Sequence, residues 1–215
     1  MKIEAIPNLV SPVYSFIAQK SPCIKDIYKE VADEICSKLS SGRILDIGTG
    51  PGYLPIEIAR RSSAFEIVGI DLSPRMVEIA NNNAQGAGLS GRIKFKLANA
   101  GSLPFEDGYF DLIVSTLSLH HWSDPARCIN EIYRVLKKNG EAYIYDLRRD
   151  TPEEVNASFR TRYGWFLSFL FLKIVRLHSS ITLKEAEKLL SSHKAGFSKQ
   201  DIQEKEILLG LHMLK

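Results

Sequence analysis

The sequence has few cysteines, no signal-peptide pattern and no strong excess of either charge. Its three cysteines, Cys23, Cys36 and Cys128, lie far apart and have no second cysteine or histidine at ligand spacing. A disulfide framework is therefore not expected, and neither is a metal site. The N-terminus lacks an apolar core with a small-residue cleavage site, and a formal net charge of +3 does not imply nucleic acid as a partner. These absences favour a cytoplasmic protein.

What is present is enough apolar sequence for one substantial core. Hydrophobic residues make up 45% of the 215 residues, and a single domain is predicted for 1–215. Ser21 and Pro22 are typical of a helix start, and apolar residues at helical spacing follow until Gly42 stops the pattern. Short β-rich runs then alternate with helical patterns, in the order RILDI, FEIVGID, RIKFKLA, FDLIVS and EAYIYD. The alternation predicts an α/β fold, with a doubly wound, mostly parallel sheet and helices on both faces.

The same patterns divide the chain into four segments. Residues 1–41 are predicted to be an N-terminal helical segment, 42–150 a ligand-binding core, 151–182 a helical lid or substrate segment, and 183–215 a closing helix with one or two strands. Within the core, helices are predicted from about Leu54, after Ser73-Pro74, and through residues 129–136. The closing helix is predicted around residues 183–191.

A glycine-rich turn follows the first predicted strand, where ligands of such sheets bind. It consists of Gly48, Thr49, Gly50, Pro51 and Gly52. Glycines allow positive φ and let a ligand approach the backbone closely. The spacing G-x-G-x-G departs from the G-x-G-x-x-G of dinucleotide sites, and the next residues are bulky, so a pyrophosphate site is disfavoured.

Asp46 precedes this turn within the strand. A carboxylate there adds negative charge near the position that a phosphate would take. It therefore suits a cationic or hydroxylated ligand, and it could also cap N–H groups of the loop.

Four motifs follow one another between residues 42 and 146: ILDIGTGPG, VGIDLSPRMVEIA, LANAGSLPFEDGYFDLIVSTLSLHHWSDP and EIYRVLKKNGEAYIYD. In this order and spacing they resemble the class I S-adenosylmethionine-dependent methyltransferases, in particular the small-molecule branch with the ubiquinone and menaquinone methyltransferases. The resemblance implies a seven-stranded Rossmann-like sheet with one antiparallel strand near its edge, which EILLGLHMLK would supply. It also implies S-adenosylmethionine as cofactor and a small molecule as methyl acceptor.

Further candidate cofactor contacts follow each strand. Asp71 ends the second strand, where a carboxylate can bind both ribose hydroxyls of an adenosine. Leu72 and Met76 resemble the apolar wall under the adenine, although Met76 could equally pack a helix on the sheet. Asn99 stands where the family usually has an acidic residue facing the adenine amino group, and its amide keeps that contact as a neutral hydrogen bond. The predicted cofactor-binding residues are Asp46, Gly48, Thr49, Gly50, Gly52, Asp71, Leu72, Met76, Asn99, Ala100, Ser115 and Leu117.

The fourth strand runs into STLSLHHW, residues 115–122. This segment lacks the Asn/Asp-Pro-Pro-aromatic motif of enzymes that methylate amide or adenine nitrogens. His120 or His121 could accept a proton from a hydroxyl, a thiol or an activated carbon near neutral pH. Either histidine could instead stabilise the next helix or pack over the cofactor. Holding the nucleophile, the methyl carbon and the sulfur in line could alone supply most of the rate acceleration. His120 and His121 are therefore candidate catalytic residues, and a base is not required.

An aromatic and basic segment, NASFRTRYGWFLSFLFLKIVRLHSS, contains no acidic residue and is too interrupted by charge to cross a membrane. With Tyr14 and Phe16 it could close an apolar pocket for a hydrophobic acceptor that carries an anionic group, or for a lipid-like one at a membrane surface. It could equally complete the core or form a dimer contact, and both monomer and homodimer stay open. The residues concerned are Phe159, Arg160, Arg162, Tyr163, Trp165, Phe166, Phe169, Phe171, Lys173 and Arg176.

Other function classes remain as alternatives. A catalytically inactive S-adenosylmethionine-binding protein would fit the departure at Asn99. An RNA methyltransferase would be expected to show a basic stripe or an added domain. An oxidoreductase would need a better pyrophosphate loop, and an arsenic methyltransferase would need clustered reactive cysteines. The favoured hypothesis is methyl transfer from S-adenosylmethionine to a small molecule.

Overall fold

The computed structural model describes residues 21–165, 168 and 180–215. The strands of this part are β1 Gly42–Ile47, β2 Phe65–Asp71, β3 Ile93–Leu97, β4 Phe110–Thr116, β5 Leu136–Arg148, β6 Ser180–Ile181, β7 Lys199–Lys205 and β8 Leu208–Leu214. The α-helices are α1 Pro22–Lys38, α2 Tyr53–Arg61, α3 Pro74–Gly86, α4 Pro125–Val135, α5 Glu153–Tyr163 and α6 Leu183–Ser192, and a short 3₁₀ helix covers Leu119–His121.

The strands form one sheet in the order β3-β2-β1-β4-β5-β8-β7, with the two-residue β6 paired to the end of β5. The first five strands of this order pair in parallel, whereas β8 is antiparallel to both β5 and β7. The predicted α/β sheet with one antiparallel strand near its edge is therefore confirmed, and the C-terminal run supplies that strand. The winding direction reverses between β1 and β4, where sheets of this kind bind their ligands.

Alternate residues of the central strands enter two hydrophobic clusters on opposite faces of the sheet. In β5, Tyr143 and Tyr145 pack with α1 and α2 residues, whereas Ala142 and Ile144 pack with α4 residues. Helices cover both faces, as the alternation of strand and helix patterns predicts, so the central strands are apolar on both sides.

Three of the six α-helices in the described residues begin where the sequence carries a polar cap followed by proline. The side chains of Ser21, Ser73 and Asp124 accept the first free N–H groups of α1, α3 and α4, and proline follows each of them. At α6, Thr182 and Glu185 form a reciprocal capping box. These local hydrogen bonds explain why the starts of α1 and α3 could be predicted from sequence, whereas the caps Asp124 and Thr182 were not identified there.

Two helix ends differ from the prediction. The helix α1 ends at Lys38 instead of continuing to Gly42, because Leu39 is already extended. The helix α4 ends at Val135, whereas the apolar spacing predicts helix through Leu136. The extended backbone of Leu136 (φ −70°, ψ 139°) opens β5, and this residue pairs with Phe110 of β4. Strand pairing therefore decides this boundary over the local pattern.

The segment predicted to cover the acceptor begins with α5, which docks on α1. Phe159 is 3% exposed within the core cluster that α1 shares. The Tyr163 hydroxyl donates to Asp26 of α1 at 2.9 Å, and the Arg162 guanidinium lies 3.3 Å from Glu30. These residues hold two helices together instead of lining the cavity at the switch point. The candidates Tyr14, Phe16, Phe166, Phe169, Phe171, Lys173 and Arg176 lie outside the described residues, so their assignment stays a prediction.

None of the helices in the described ranges combines the length and the apolar composition needed to cross a bilayer.

Candidate active site

The glycine loop between β1 and α2 has an alternating left-handed backbone. Gly48, Gly50 and Gly52 have φ values of +71°, +51° and +78°, a region that side chains other than glycine rarely adopt. The N–H of Thr49 donates to Ile70 of β2 at 2.9 Å, and the N–H of Gly52 donates back to Thr49. The loop is therefore tied to the neighbouring strand before it enters α2.

The three glycines serve different spatial needs. A Cβ at Gly48 would lie 2.4 Å from Ser118, and one at Gly52 would lie 2.7 Å from the Phe95 ring. A Cβ at Gly50 would meet nothing within 4 Å, because this residue faces the cavity. Gly48 and Gly52 permit close packing of the protein itself, whereas Gly50 leaves space for a ligand.

Asp71 at the end of β2 ties this loop to the start of α3. One carboxylate oxygen accepts the N–H of Gly50 at 2.8 Å, and the other accepts the N–H of Ser73 at 2.9 Å. Burial raises the pKa of the Asp71 carboxyl, while these backbone donors oppose the rise. Each carboxylate oxygen can accept a second hydrogen bond. Asp71 can therefore hold the loop and still accept hydroxyl groups of a ligand.

Asp46 lies beneath the loop and is 2% exposed. Burial raises the pKa of its carboxyl to about 7, with the hydroxyl of Thr49 opposing the rise and the charge of Asp71 adding to it. Two acidic groups thus lie behind and beside the loop. In their ionised forms these groups favour a cationic ligand in the adjoining cavity over a pyrophosphate.

The cavity lies at the carboxyl ends of β1, β2, β3 and β4. Of the predicted site residues, those that line it are Gly48, Gly50, Asp71, Leu72, Asn99, Ala100, Leu117 and His121. The predicted residues that lie behind this lining are Asp46, Thr49, Gly52, Met76, Ser115 and His120. Met76 is 1% exposed and does not line the cavity, so its contact with the adenine stays a prediction.

Asn99 lines the cavity but also closes its own turn. Its side-chain oxygen accepts the N–H of Gly101 at 2.8 Å. The adenine-facing role proposed from sequence would therefore use the second lone pair of this oxygen or the amide NH₂.

The cavity is also lined by residues that the sequence did not identify as candidates: Tyr28, Thr116, Ser118, Trp122, Asp124 and Arg127. Thr116 lies between the predicted residues Ser115 and Leu117, so its position at the end of β4 could have indicated it as a lining residue. Its hydroxyl is buried and has no hydrogen-bond partner among the described residues. Tyr28 belongs to α1, and no local pattern connects it with the loop. It reaches the cavity only because α1 packs against the sheet.

Ser118 joins the two sides of the cavity. Its hydroxyl donates to the Ile47 carbonyl at 3.2 Å, accepts the indole N–H of Trp122 at 3.3 Å, and lies 2.7 Å from the Ser115 hydroxyl. Leu117 before it has a φ of +59°, an unusual value for leucine. This strained bend turns the chain from β4 towards the histidines.

The two histidines take different positions. The His121 ring borders the cavity, and the His120 ring lies against it with 4.0 Å between the ring centroids. His120 is bound to Asp146 of β5, a residue that the sequence analysis did not select. Its ring nitrogen Nδ1 lies 2.9 Å from an Asp146 oxygen.

The three cysteines are free thiols, and Cys128 lines the cavity. Burial raises the pKa of the Cys128 thiol to about 12. It is therefore a neutral, weakly nucleophilic wall residue near neutral pH.

The cavity fits S-adenosylmethionine on three observations. Gly50 leaves an open cradle, the Thr116 hydroxyl is buried without a partner in the described part of the chain, and Asp71 offers acceptors for ribose hydroxyls. Together with a sheet that reverses between β1 and β4 and carries one antiparallel strand near its edge, these features define the class I methyltransferases.

Comparison with known proteins agrees with this class. A family model described as a methyltransferase domain matches residues 38–190. The chain belongs to the S-adenosylmethionine-dependent methyltransferase family, and S-adenosylmethionine is its cofactor.

Relatives and solved structures cover most of the chain. It is 32% identical to a ubiquinone/menaquinone biosynthesis C-methyltransferase of Geotalea daltonii, over 93% of this chain and 83% of the relative. It is also 32% identical to a 2-phytyl-1,4-naphtoquinone methyltransferase of a Nostoc species, over 86% and 78%. The crystal structure of a candidate S-adenosylmethionine-dependent methyltransferase from Methanococcus maripaludis matches 100% of this chain and 95% of its own, with a TM-score of 0.75 and 27% identity.

Proposed function

We propose that this methyltransferase acts on the ring of a reduced, lipid-soluble quinone. This proposal rests on the similarity to two relatives, one named for ubiquinone/menaquinone biosynthesis and the other for a phytyl-naphthoquinone. The chain spans 83% and 78% of their lengths. The proposal names a class of acceptor, a hydroquinone with an apolar tail.

The cavity walls support an aromatic acceptor of this kind. Tyr28, Leu117, His121 and Trp122 combine apolar and aromatic surface with a titratable group beside the end of β4. A planar ring can stack on such side chains, and a histidine can bind its hydroxyl group.

The proposed chemistry needs an electron-rich ring carbon. S-adenosylmethionine supplies a methyl group on a positively charged sulfur, which keeps the bonding electron pair when the methyl leaves. Removing the hydroxyl proton of a hydroquinone places negative charge on the adjacent ring carbons, which makes them nucleophilic. After one of these carbons has taken the methyl group, its C–H bond breaks, the electron pair of that bond restores the aromatic ring, and the oxygen regains a proton. We infer that His120 or His121 takes the hydroxyl proton, since the reference pKa of histidine suits neutral pH.

Asp46, the glycine loop and Asp71 would hold the cofactor on the other side. Leu72 borders the cavity beside Asp71, and Asn99 and Ala100 follow β3 on the same wall. We assign these residues to the adenosine half of the ligand. We further propose that the enzyme works in the cytoplasm and reaches a tailed acceptor at the membrane surface.

The test is methyl transfer by the purified full-length enzyme. It would be incubated with methyl-labelled S-adenosylmethionine and a naphthoquinone that lacks the ring methyl group, supplied in detergent in reduced or oxidised form. We expect a product carrying one added methyl on a ring carbon, found by fragmentation mass spectrometry, only with the reduced compound. The Gly50→Val variant is the inactive control.

Methyl transfer to a ring oxygen would show that the methylated atom is oxygen and not carbon, and it would leave the proposed class of acceptor unchanged. No transfer to any reduced quinone, together with transfer to an unrelated small molecule or to RNA, would refute the proposed acceptor. Liposome flotation would test the surface contact, which should weaken with added salt if anionic lipids attract the protein.

A further inference from the structure

The carboxylate of Asp146 is fully buried near the end of β5 and accepts hydrogen bonds from the chain on two sides. One oxygen accepts the backbone N–H of His120 at 2.8 Å, and the other accepts the backbone N–H of Leu147 at 2.8 Å. The His120 ring nitrogen Nδ1 lies 2.9 Å and 3.0 Å from the two oxygens. A single carboxylate therefore fixes both the backbone and the ring of His120.

This arrangement selects one tautomer of the imidazole. Backbone N–H groups can only donate, so both Asp146 oxygens act as acceptors towards them. As a carboxylate, Asp146 has no hydrogen to donate, so the ring nitrogen that faces its two oxygens is the donor and Nδ1 carries the hydrogen. In the neutral ring the lone pair lies on Nε2.

The Nε2 atom of His120 is buried and has no hydrogen-bond partner within the described ranges. Buried polar atoms are rarely left unpaired in folded proteins, and such atoms are often functional. The His120 side chain is 8% exposed, and its ring lies directly behind that of His121, which lines the cavity. An unpaired nitrogen is therefore held behind the cavity wall, one ring away from the lining.

We propose that Asp146 is a positioning residue that holds His120 with Nε2 as the proton acceptor of the reaction. The acceptor's O–H bond breaks, its electron pair stays on oxygen, and the proton moves to Nε2. The resulting imidazolium carries hydrogen on both nitrogens and lies against the Asp146 carboxylate, whose negative charge stabilises it. The step rests on the proposed function for an acceptor with an ionisable hydroxyl, whereas the tautomer does not depend on it.

The first experiment measures the tautomer without any acceptor. The full-length protein with ¹⁵N-labelled histidine is studied by long-range ¹H–¹⁵N NMR, and His120→Gln identifies the His120 signals among the five histidines. We expect hydrogen on Nδ1 in the parent. In Asp146→Asn, an NH₂ group replaces one of the two oxygens that accept backbone N–H groups in the parent. The Nδ1–H form of His120 should therefore lose population.

Asp111→Asn is the matched control. Asp111 also accepts a backbone N–H, that of Arg43 at 2.8 Å, but it lies at the start of β4, away from the cavity. This variant should keep the His120 tautomer of the parent. Hydrogen on Nε2 of His120 in the parent would overturn the proposal, as would an unchanged tautomer in a folded Asp146→Asn variant.

The second experiment measures turnover and cofactor binding. Asp146→Asn and His120→Gln should each lower kcat about a hundredfold or more, the range of a positioned general base. Calorimetric affinity for S-adenosylhomocysteine should stay at the parental value in both, and Asp111→Asn should keep the parental kcat. Unchanged kcat per folded molecule in His120→Gln would overturn the proposal even if Asp146→Asn does not fold.

The two experiments distinguish a wrong acceptor from a wrong role for Asp146. If the acceptor is wrong, the parent enzyme itself fails to methylate reduced quinones. The NMR experiment still reports the tautomer of His120 and its dependence on Asp146.

Discussion

Gly50 is the residue at which backbone conformation and ligand space coincide. Its φ is +51°, its missing Cβ would point into the open cavity, and its N–H donates to Asp71. Valine here would fill the ligand's space and strain the backbone by about 1–2 kcal/mol. We expect Gly50→Val to abolish binding of S-adenosylmethionine and S-adenosylhomocysteine in calorimetry.

The strain and the steric block can be separated with Gly88. This residue has a φ of +72° and also has no heavy atom within 4 Å of its missing Cβ, but it does not line the cavity. Gly88→Val should therefore carry a similar backbone cost and retain cofactor binding. Loss of binding in both variants, or in neither, would contradict the assignment of Gly50 as the open side of the cradle.

Asp46 should make the stability of the enzyme depend on pH. Burial raises the pKa of its carboxyl to about 7, above the ordinary value of about 4. Between these values the folded protein keeps a proton that the unfolded chain has released, so this group lowers the free energy of unfolding as pH rises. Asp46→Asn removes the effect. The difference in free energy of unfolding between the variant and the parent should therefore grow in favour of the variant as pH rises from about 4 to about 7. It should reach up to roughly 4 kcal/mol, as measured by urea unfolding.

Asp111→Asn should show the opposite dependence. Partial burial opposes the shift, but the Arg43 N–H and the Lys137 ammonium hold the pKa of Asp111 below its ordinary value. Its carboxylate therefore stabilises the fold at neutral pH and loses this contribution as pH falls through the lowered pKa.

A stability difference between Asp46→Asn and the parent that does not change with pH would exclude a raised pKa at Asp46.

At the scale of elements, the site depends on contact between the loop after β1 and the bend after β4. A Cβ at Gly48 would lie 2.4 Å from both the Cβ and the Oγ of Ser118. Gly48→Ala should therefore destabilise the protein by about 1–3 kcal/mol, as overpacking does. Ser118→Gly removes the colliding atoms, so the double variant should cost less than the two single changes together in equilibrium unfolding.

The matched cycle uses Gly52, whose missing Cβ would meet Phe95 and Ala80 but not Ser118. The costs of Gly52→Ala and Ser118→Gly should add within error. If the Gly48 pair is equally additive, the two segments do not touch as closely as the structure shows.

At the scale of the whole molecule, ligand binding should stabilise the fold. A ligand at a hundred times its Kd adds about 2.7 kcal/mol to the free energy of unfolding. For a chain of this size that is an increase in Tm of roughly 5–10 °C. We expect this increase with S-adenosylhomocysteine and none with NAD, because the loop spacing and the two nearby carboxyl groups disfavour a pyrophosphate. A comparable increase with NAD, or one that persists in Gly50→Val, would refute the binding mode.

Much of the fold could be predicted because its signals are local. The alternation of β-rich and helical runs identified β1 to β5, and the cap residues Ser21 and Ser73 located two helix starts. The limit of such signals is visible at Leu136, where pairing with Phe110 ends a helix that the apolar spacing would continue. The position of the cavity was predictable for the same reason, since Gly50 after β1 and Asp71 at the end of β2 both line it, while their contact with the cofactor stays a prediction.

The sequence by itself determined the doubly wound sheet, the glycine turn and the methyltransferase class, because hydrophobic period, glycine spacing and motif order are properties of neighbouring residues. Only the tertiary structure decided which side chains meet in the site. Asp146 reaches His120 across 26 residues of chain, Ser118 closes on Gly48, and Tyr28 arrives from α1. These contacts exist because parallel strands bring distant segments to one edge of the sheet, and no local pattern records which segments become neighbours.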